Sequence, residues 1–347
     1  MDVVRDVCGV QAQLLAAAEL AISVRVAALS QREVRAALWE RRSLVRAWTV
    51  RGTIHIVPAH DVPLWVSAIG ERRYWEARDW LAANDLTAVE MTAIIDAVVA
   101  ALDGRALTRA ELADAVVAQL GSRIRPKVAS FWGDLLAPVT YLGKLCFGPQ
   151  RGANVTFVRA DQWIGGWREV APDDAWRELL RRWLATYGPA TLEGVRRWFG
   201  IEREDAERRL GDAGAREVKI ERIVAWTLDE ASPHSCVGGA SVRLLAQYDP
   251  YIVRSHPRES LVSEAARARI RTFKRGRFEG ATGVPVLLVD GVVQGVWDRR
   301  THGGRIEISV EPVVRLTNDQ HRELEDEVAR IGRFFGRSTD LRVAAIP

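Results

Sequence analysis

An α+β fold is predicted for this chain of 347 residues, with three tandem winged helix-turn-helix modules ahead of a C-terminal β-sheet and its capping helix. Three observations predict it. A plan of helix, short second helix, third helix and β-hairpin occurs three times in succession. From Ser241 onward the pattern turns to alternating β segments, and residues 318–335 read as one helix with a charged and an apolar face.

The first module, residues 1–88, opens on a short helix over 2–8, for which Gly9 is a natural residue to follow the last turn. Next comes "VQAQ". Two residues apart on an α-helix point about 200° apart, so Gln11 and Gln13 share a side only if the segment is extended. An extended stretch over 10–13 is therefore expected, with a longer helix from near Leu14. Ser30 and Glu33 have capping-box spacing, and the hairpin "VRAWTVRGTIHIV" follows. If its pleat runs without interruption, Val50, Ile54 and Ile56 share one face while Arg51, Thr53 and His55 share the other.

The second module, 89–170, has a helix from Met91 to Leu102, a capping box at Thr108 and Glu111, and the wing "KLCFGPQRGANVTFV". The third, 171–238, runs from "AWRELLRRWLATYG" through "TLEGVRRWFGI" and "EDAERRLGDAG" to the hairpin "REVKIERIVAWTL". Trp39, Trp48, Trp176, Trp183 and Trp198 lie in apolar patterns and are expected in the core. The β-rich domain, 239–347, contains an Asp290-Gly291 hairpin turn and a Gly-Gly turn before "RIEISVEPVVRL".

Composition sets the outer limits. The chain is 48% hydrophobic and 27% charged, as in ordinary globular proteins. It has no run of eighteen apolar residues and no N-terminal signal pattern, so a cytoplasmic location without membrane partners is expected. Cys8, Cys146 and Cys236 are far apart, the histidines lack metal-ligand spacing, and no phosphate-binding glycine motif is present. Neither a metal nor a cofactor is expected. A net charge of +4 suits an anionic partner, and residues 267–277 carry six cations. In that run Lys274, Arg275 and Arg277 surround Gly276 and are the expected phosphate contacts; a solvated surface is the competing reading.

Winged helices commonly place a helix in the major groove of DNA. Two amides with Arg51, Thr53 and His55 would form a polar group without a carboxylate. Such residues also fit an ordinary surface.

The segments "VQAQ", "LVRAWTVRGTIHIVPAHDVPLW", "LLAQYDPYIV", "PVLLVDGVVQGVWDRR" and "EVARIGRFFG" together resemble the AlkZ-like DNA glycosylases, along nearly the whole chain. The resemblance implies that Gln11 and Gln13, with Ala12 between them, form that family's catalytic Gln-aliphatic-Gln motif. It implies bulky N-alkylated purines or interstrand crosslinks in double-stranded DNA as substrate, and hydrolysis of the N-glycosidic bond. It also draws attention to Asp249 and Tyr251 in "YDPY", where Tyr248 replaces the family's usual Phe. Asp249 is either a working carboxylate or a turn-forming Asp-Pro. An amide cannot act as a general base near neutral pH, but it can orient water toward a sugar whose leaving base is already cationic. A single chain with three modules and no dimer-forming heptad is expected to act as a monomer on bacterial DNA, in general repair or in self-resistance to an alkylating product. A non-catalytic winged-helix regulator is the alternative.

Overall fold

The computed structural model describes residues 2–130, 135–228, 241–254, 261–273 and 283–346. Its architecture mixes helix and sheet, and by internal contacts the chain divides into two units. The first comprises residues 1–9 and 36–182, the second 10–35 and 183–347.

In the first unit, two hairpins lie in one sheet. Strands Ile54–Pro58, Leu44–Trp48, Cys146–Arg151, Asn154–Val158 and Leu107–Thr108 are neighbours in that order. The pair Arg46 and Phe147 joins the hairpins. The sequence predicts two separate strand pairs here; the aromatics explain the fusion. Trp48 packs on Phe147 with ring centroids 4.7 Å apart, and Phe147 on Phe157 at 5.1 Å. Sharing those faces removes more apolar surface from water than either hairpin could alone. Helices Ala88–Ala101 and Arg109–Leu120 supply Met91, Ile94, Val98, Leu112 and Val116 to the same core. The expected capping box at Thr108 and Glu111 is formed. A second box at Thr87 and Glu90 starts the preceding helix three residues before Met91.

In the second unit, Leu192–Phe199 and Arg203–Asp212 are helices, and Arg216–Ile220 pairs with Ile223–Thr227 as a two-stranded sheet. Trp48, Trp176, Trp183 and Trp198 are buried across the chain as expected, whereas Trp39 is half-buried. The C-terminal sheet has five strands, in the order Ser338–Val343, Arg305–Pro312, Val292–His302, Val286–Val289, Val242–Leu245. The turn at Asp290 and Gly291 has φ of 48° and 81°, the double left-handed geometry of a tight hairpin. Helix Asn318–Phe335 has the expected bounds and buries Leu324, Val328, Ile331 and Phe334 along one stripe. Its return strand, Ser338–Val343, was not expected from sequence and pairs in parallel with Arg305–Pro312. Among the described residues no helix is long and apolar enough to cross a membrane.

Candidate active site

The helix Asp2–Asp6 ends where Cys8 and Gly9 both take left-handed φ, 54° and 87°. Beyond them the chain is extended at Val10–Gln11, and the next helix, Leu15–Ser23, begins after Leu14 at φ −105° and ψ 105°. Gln11 and Gln13 are thus both outside the helix. Both are half-buried and Ala12 between them is fully buried; the extended stretch is shorter than the expected 10–13, because the chain bends at Gln13 and Leu14. These two amides can donate and accept hydrogen bonds but carry no charge.

The helix after them is short, alanine-rich and almost wholly buried. Polar groups hold it at three places. Glu19, in its middle, is inaccessible to solvent and accepts from Gln31 Nε2 at 2.5 Å and Arg35 Nε at 2.8 Å. Arg25, just past its end, donates from Nη1 to the Ala21 carbonyl at 2.7 Å and to Asp249 Oδ2 at 2.8 Å, and from Nη2 to Asp249 Oδ1 at 2.6 Å. Arg330 donates to Ser23 Oγ at 2.8 Å while paired with Glu327, which also accepts from the Leu244 amide. Burial disfavours charge on Arg25, but the hydrogen bonds and the charge of Asp249 more than offset it and raise its pKa.

Asp249 is 0% exposed and its carboxylate is paired with Arg25, where the sequence left open a working carboxylate. Oδ1 also accepts from the Tyr251 amide at 2.9 Å, which makes the Asp-Pro turn one of the sequence alternatives realised. Tyr251 is half-buried, and its hydroxyl donates to the Gly291 carbonyl at 3.0 Å. Arg25, Glu327 and Arg330 were missed by sequence reasoning because their partners are remote in the chain. Glu19 had a local signal: it is the one carboxylate in "LLAAAELAI".

The first hairpin departs from the expected two-faced ribbon. Val50–Gly52 forms a tight turn with Arg51 at φ 59°, so the period-two rule does not carry from Arg51 to His55. Arg51 and Thr53 are half-buried in that turn, and Thr53 Oγ1 donates to the Val50 carbonyl at 2.9 Å. His55 is 1% exposed, which corrects its expected place on an open face. Gly9 explains why: a Cβ there would lie 3.0 Å from Val57 Cγ1 and 3.7 Å from His55 Cβ, so the chain at Gly9 covers this side of the strand. His55 Nδ1 lies 2.7 Å from Thr49 Oγ1 and 3.2 Å from the Thr53 carbonyl. Because a carbonyl only accepts, the proton is assigned to Nδ1, leaving a bare Nε2.

Burial, then the nearby charge of Arg51, pushes the His55 pKa down to about 3. Burial also lowers that of Arg51, to about 10, so it remains charged at neutral pH. With the folded pKa below the unfolded value of about 6.5, the unfolded chain binds the extra proton, and stability is lost as pH falls below about 6.5 toward 3. At pH 5 this amounts to about 2 kcal/mol. A His55→Gln variant should lose about that much less stability than wild type between pH 7.5 and pH 5 in urea titrations. An equal loss in both proteins would exclude a neutral buried imidazole.

Lys274, Arg275 and Arg277 lie outside the described residues. Of the preceding cations, Arg269 is paired with Glu311, Arg267 donates to the Val262 carbonyl at 3.4 Å, and Arg271 is exposed.

Comparison with known proteins places these features in context. Residues 4–334 match the family model described as DNA glycosylase AlkZ-like. The chain is 30% identical, in an alignment of 352 residues, to a curated protein named interstrand DNA cross-link repair glycosylase, from Streptomyces sahachiroi. That alignment covers 97% of this chain and 91% of the relative. The solved structure of Streptomyces sahachiroi DNA glycosylase AlkZ is similar with a TM-score of 0.81 at 29% identity, covering 99% of this chain and 93% of that one.

Proposed function

Because the chain belongs to the AlkZ-like DNA glycosylase family, whose members hydrolyse N-glycosyl bonds in DNA, we propose that it excises bulky N7- or N3-alkylated purines from double-stranded DNA. Interstrand crosslinks are included, since the curated relative is named for their repair. The observation that carries this reading is the non-helical placement of Gln11 and Gln13 around buried Ala12.

Two neutral amides match a particular chemical task. An alkylated purine bears positive charge, its glycosidic bond is weakened, and it leaves without being protonated. Gln11 and Gln13 orient a water toward C1′ and present amide dipoles to the oxocarbenium-like sugar, so no carboxylate has to serve as base. The bond between C1′ and the purine nitrogen breaks, water supplies the new C1′ oxygen, and its proton passes to solvent. Neutral His55 takes no part in that transfer, and Arg51 with Thr53 contributes DNA contacts from the turn.

The three hairpins are read as wings of modules spanning 1–88, 89–170 and 171–238, with 239–347 as the β-rich domain. Lys274, Arg275 and Arg277 add phosphate contacts, and Tyr251 lies near the substrate. The enzyme acts as a monomer in the bacterial cytoplasm. This replaces the non-catalytic regulator suggested by winged helices alone.

Incubation with duplex carrying one bulky N7-alkylguanine should release the base and leave an abasic site that heat or alkali cleaves. A duplex with the same adduct as a crosslink should be separated into strands. Failure to form abasic sites from either substrate would overturn the reading.

A further inference from the structure

We infer that Asp249 and Arg25 are positioning residues for the glutamine motif: their buried ion pair fixes the far end of the helix whose near end follows Gln13. The inference rests on the catalytic reading of Gln11 and Gln13.

Helix Leu15–Ser23 has nine residues, so at a rise of 1.5 Å each it is roughly 13 Å long and behaves as a single rod. Its buried apolar residues are Leu20 and Ile22 with the small Ala17, Ala18 and Ala21. The three alanines offer few side-chain atoms to interdigitate, so apolar packing constrains the axial position and rotation of the rod chiefly through Leu20 and Ile22. The first turn has no side-chain cap at Leu14 to anchor it. Directional polar contacts add to that constraint, and the bidentate pair of Arg25 and Asp249 supplies one just past the helix's far end.

Arg25 connects both parties. One guanidinium nitrogen reaches the Ala21 carbonyl, among the last four of the helix, and Asp249 Oδ2; the other reaches Asp249 Oδ1. Asp249 is itself fixed by the Tyr251 amide and by a turn in which its own amide donates to Ala246 at 3.2 Å. Tyr248 enters that turn at a left-handed φ of 61°. Any shift of Asp249 is thus passed through Arg25 to the helix terminus, and along the rod to Gln13.

A buried ion pair replaced by apolar side chains often leaves stability intact, so fixing the helix in place can be separated from holding the protein together. Two variants of the full chain test this: Asp249→Asn, and the paired Arg25→Met/Asp249→Leu, which removes both charges and keeps the site filled. The measurement is single-turnover base release from duplex carrying an N7-alkylguanine, read as a rate constant and an amplitude, with duplex affinity alongside. A displacement on the order of 1 Å at a reacting group costs about 10²-fold. Both variants should therefore release base about 10- to 100-fold more slowly, with amplitude and affinity within about twofold of wild type. A purely structural pair would instead lower the amplitude, which counts folded enzyme, and leave the rate constant unchanged; that result overturns the inference. Gln11→Ala runs in parallel. If it retains the wild-type rate, the catalytic reading of the glutamines fails first. If it loses activity while both ion-pair variants keep theirs, the positioning role alone is excluded.

Discussion

Replacing Gln11 and Gln13 together by Ala should lower base release from an N7-alkylguanine duplex by about 10³-fold or more. Loss of one pre-oriented hydrogen-bonding group at a developing charge typically costs 10²–10³, and here two are removed along with the means of holding the water. Folding should be nearly unaffected. Both side chains are half-buried, neutral and outside regular helix, so the change in stability should stay within about 1 kcal/mol. Binding to the damaged duplex should also persist, since phosphate contacts supply most of such affinity. The decisive measurement is single-turnover release at enzyme concentrations that saturate binding. Rapid release by the double variant would dismiss the amides from the chemistry, while loss of the folded protein would assign them to the structure.

Trp297→Ala should produce the largest loss of stability among simple core changes, about 3–5 kcal/mol. Trp297 is fully buried on strand Val292–His302, and its ring Nε1 donates to the Leu245 carbonyl at 2.9 Å. Leu245 ends strand Val242–Leu245, two places away in the sheet, so the indole reaches across the intervening strand Val286–Val289. Truncation leaves a cavity and a buried carbonyl without its donor, and both contributions add. Trp297→Phe, which fills most of the space but lacks the N–H, should fall between. Denaturant midpoints for the three proteins test this order; a shift for Trp297→Ala worth under about 1 kcal/mol would contradict the packing described.

Local signals in the sequence carried a good deal of this. Gly9 after a short helix points to the break in helix at "VQAQ", of which Val10–Gln11 is extended, and the capping chemistry at Ser30 and Glu33 is formed, with the Ser30 amide 2.8 Å from Glu33 Oε2. The amphipathic stripe gave the bounds of Asn318–Phe335. What was not legible depends on distance or on a break in period. Strand Ser338–Val343 is mostly exposed and has no apolar alternation, so only its pairing identifies it. The expectation of an open side for His55 fails because the chain at Gly9, more than forty residues earlier, covers that side of the strand, which the pattern of the hairpin alone does not reveal. The glutamines could be named as a candidate site, but their support could not. Arg25 and Asp249 are 224 residues apart, and no local rule connects a guanidinium to a carboxylate at that separation.

The same separation bears on how the protein is made. The second unit is discontinuous, with residues 10–35 leaving the ribosome well before 183–347. The glutamines are therefore among the first residues synthesised, yet the carboxylate that pairs with Arg25, just past the end of the helix that follows them, arrives only with Asp249. Closing an unstructured loop of the intervening length costs about 5 kcal/mol. Residues 36–182, which with residues 1–9 make up the first unit, are complete before Asp249 is made, and any structure they form by then shortens the loop and lowers that cost. A nascent chain that stops before residue 249 thus has the Glu19 contacts to Gln31 and Arg35 available to the helix that follows Gln13, but lacks the ion pair just past that helix's far end.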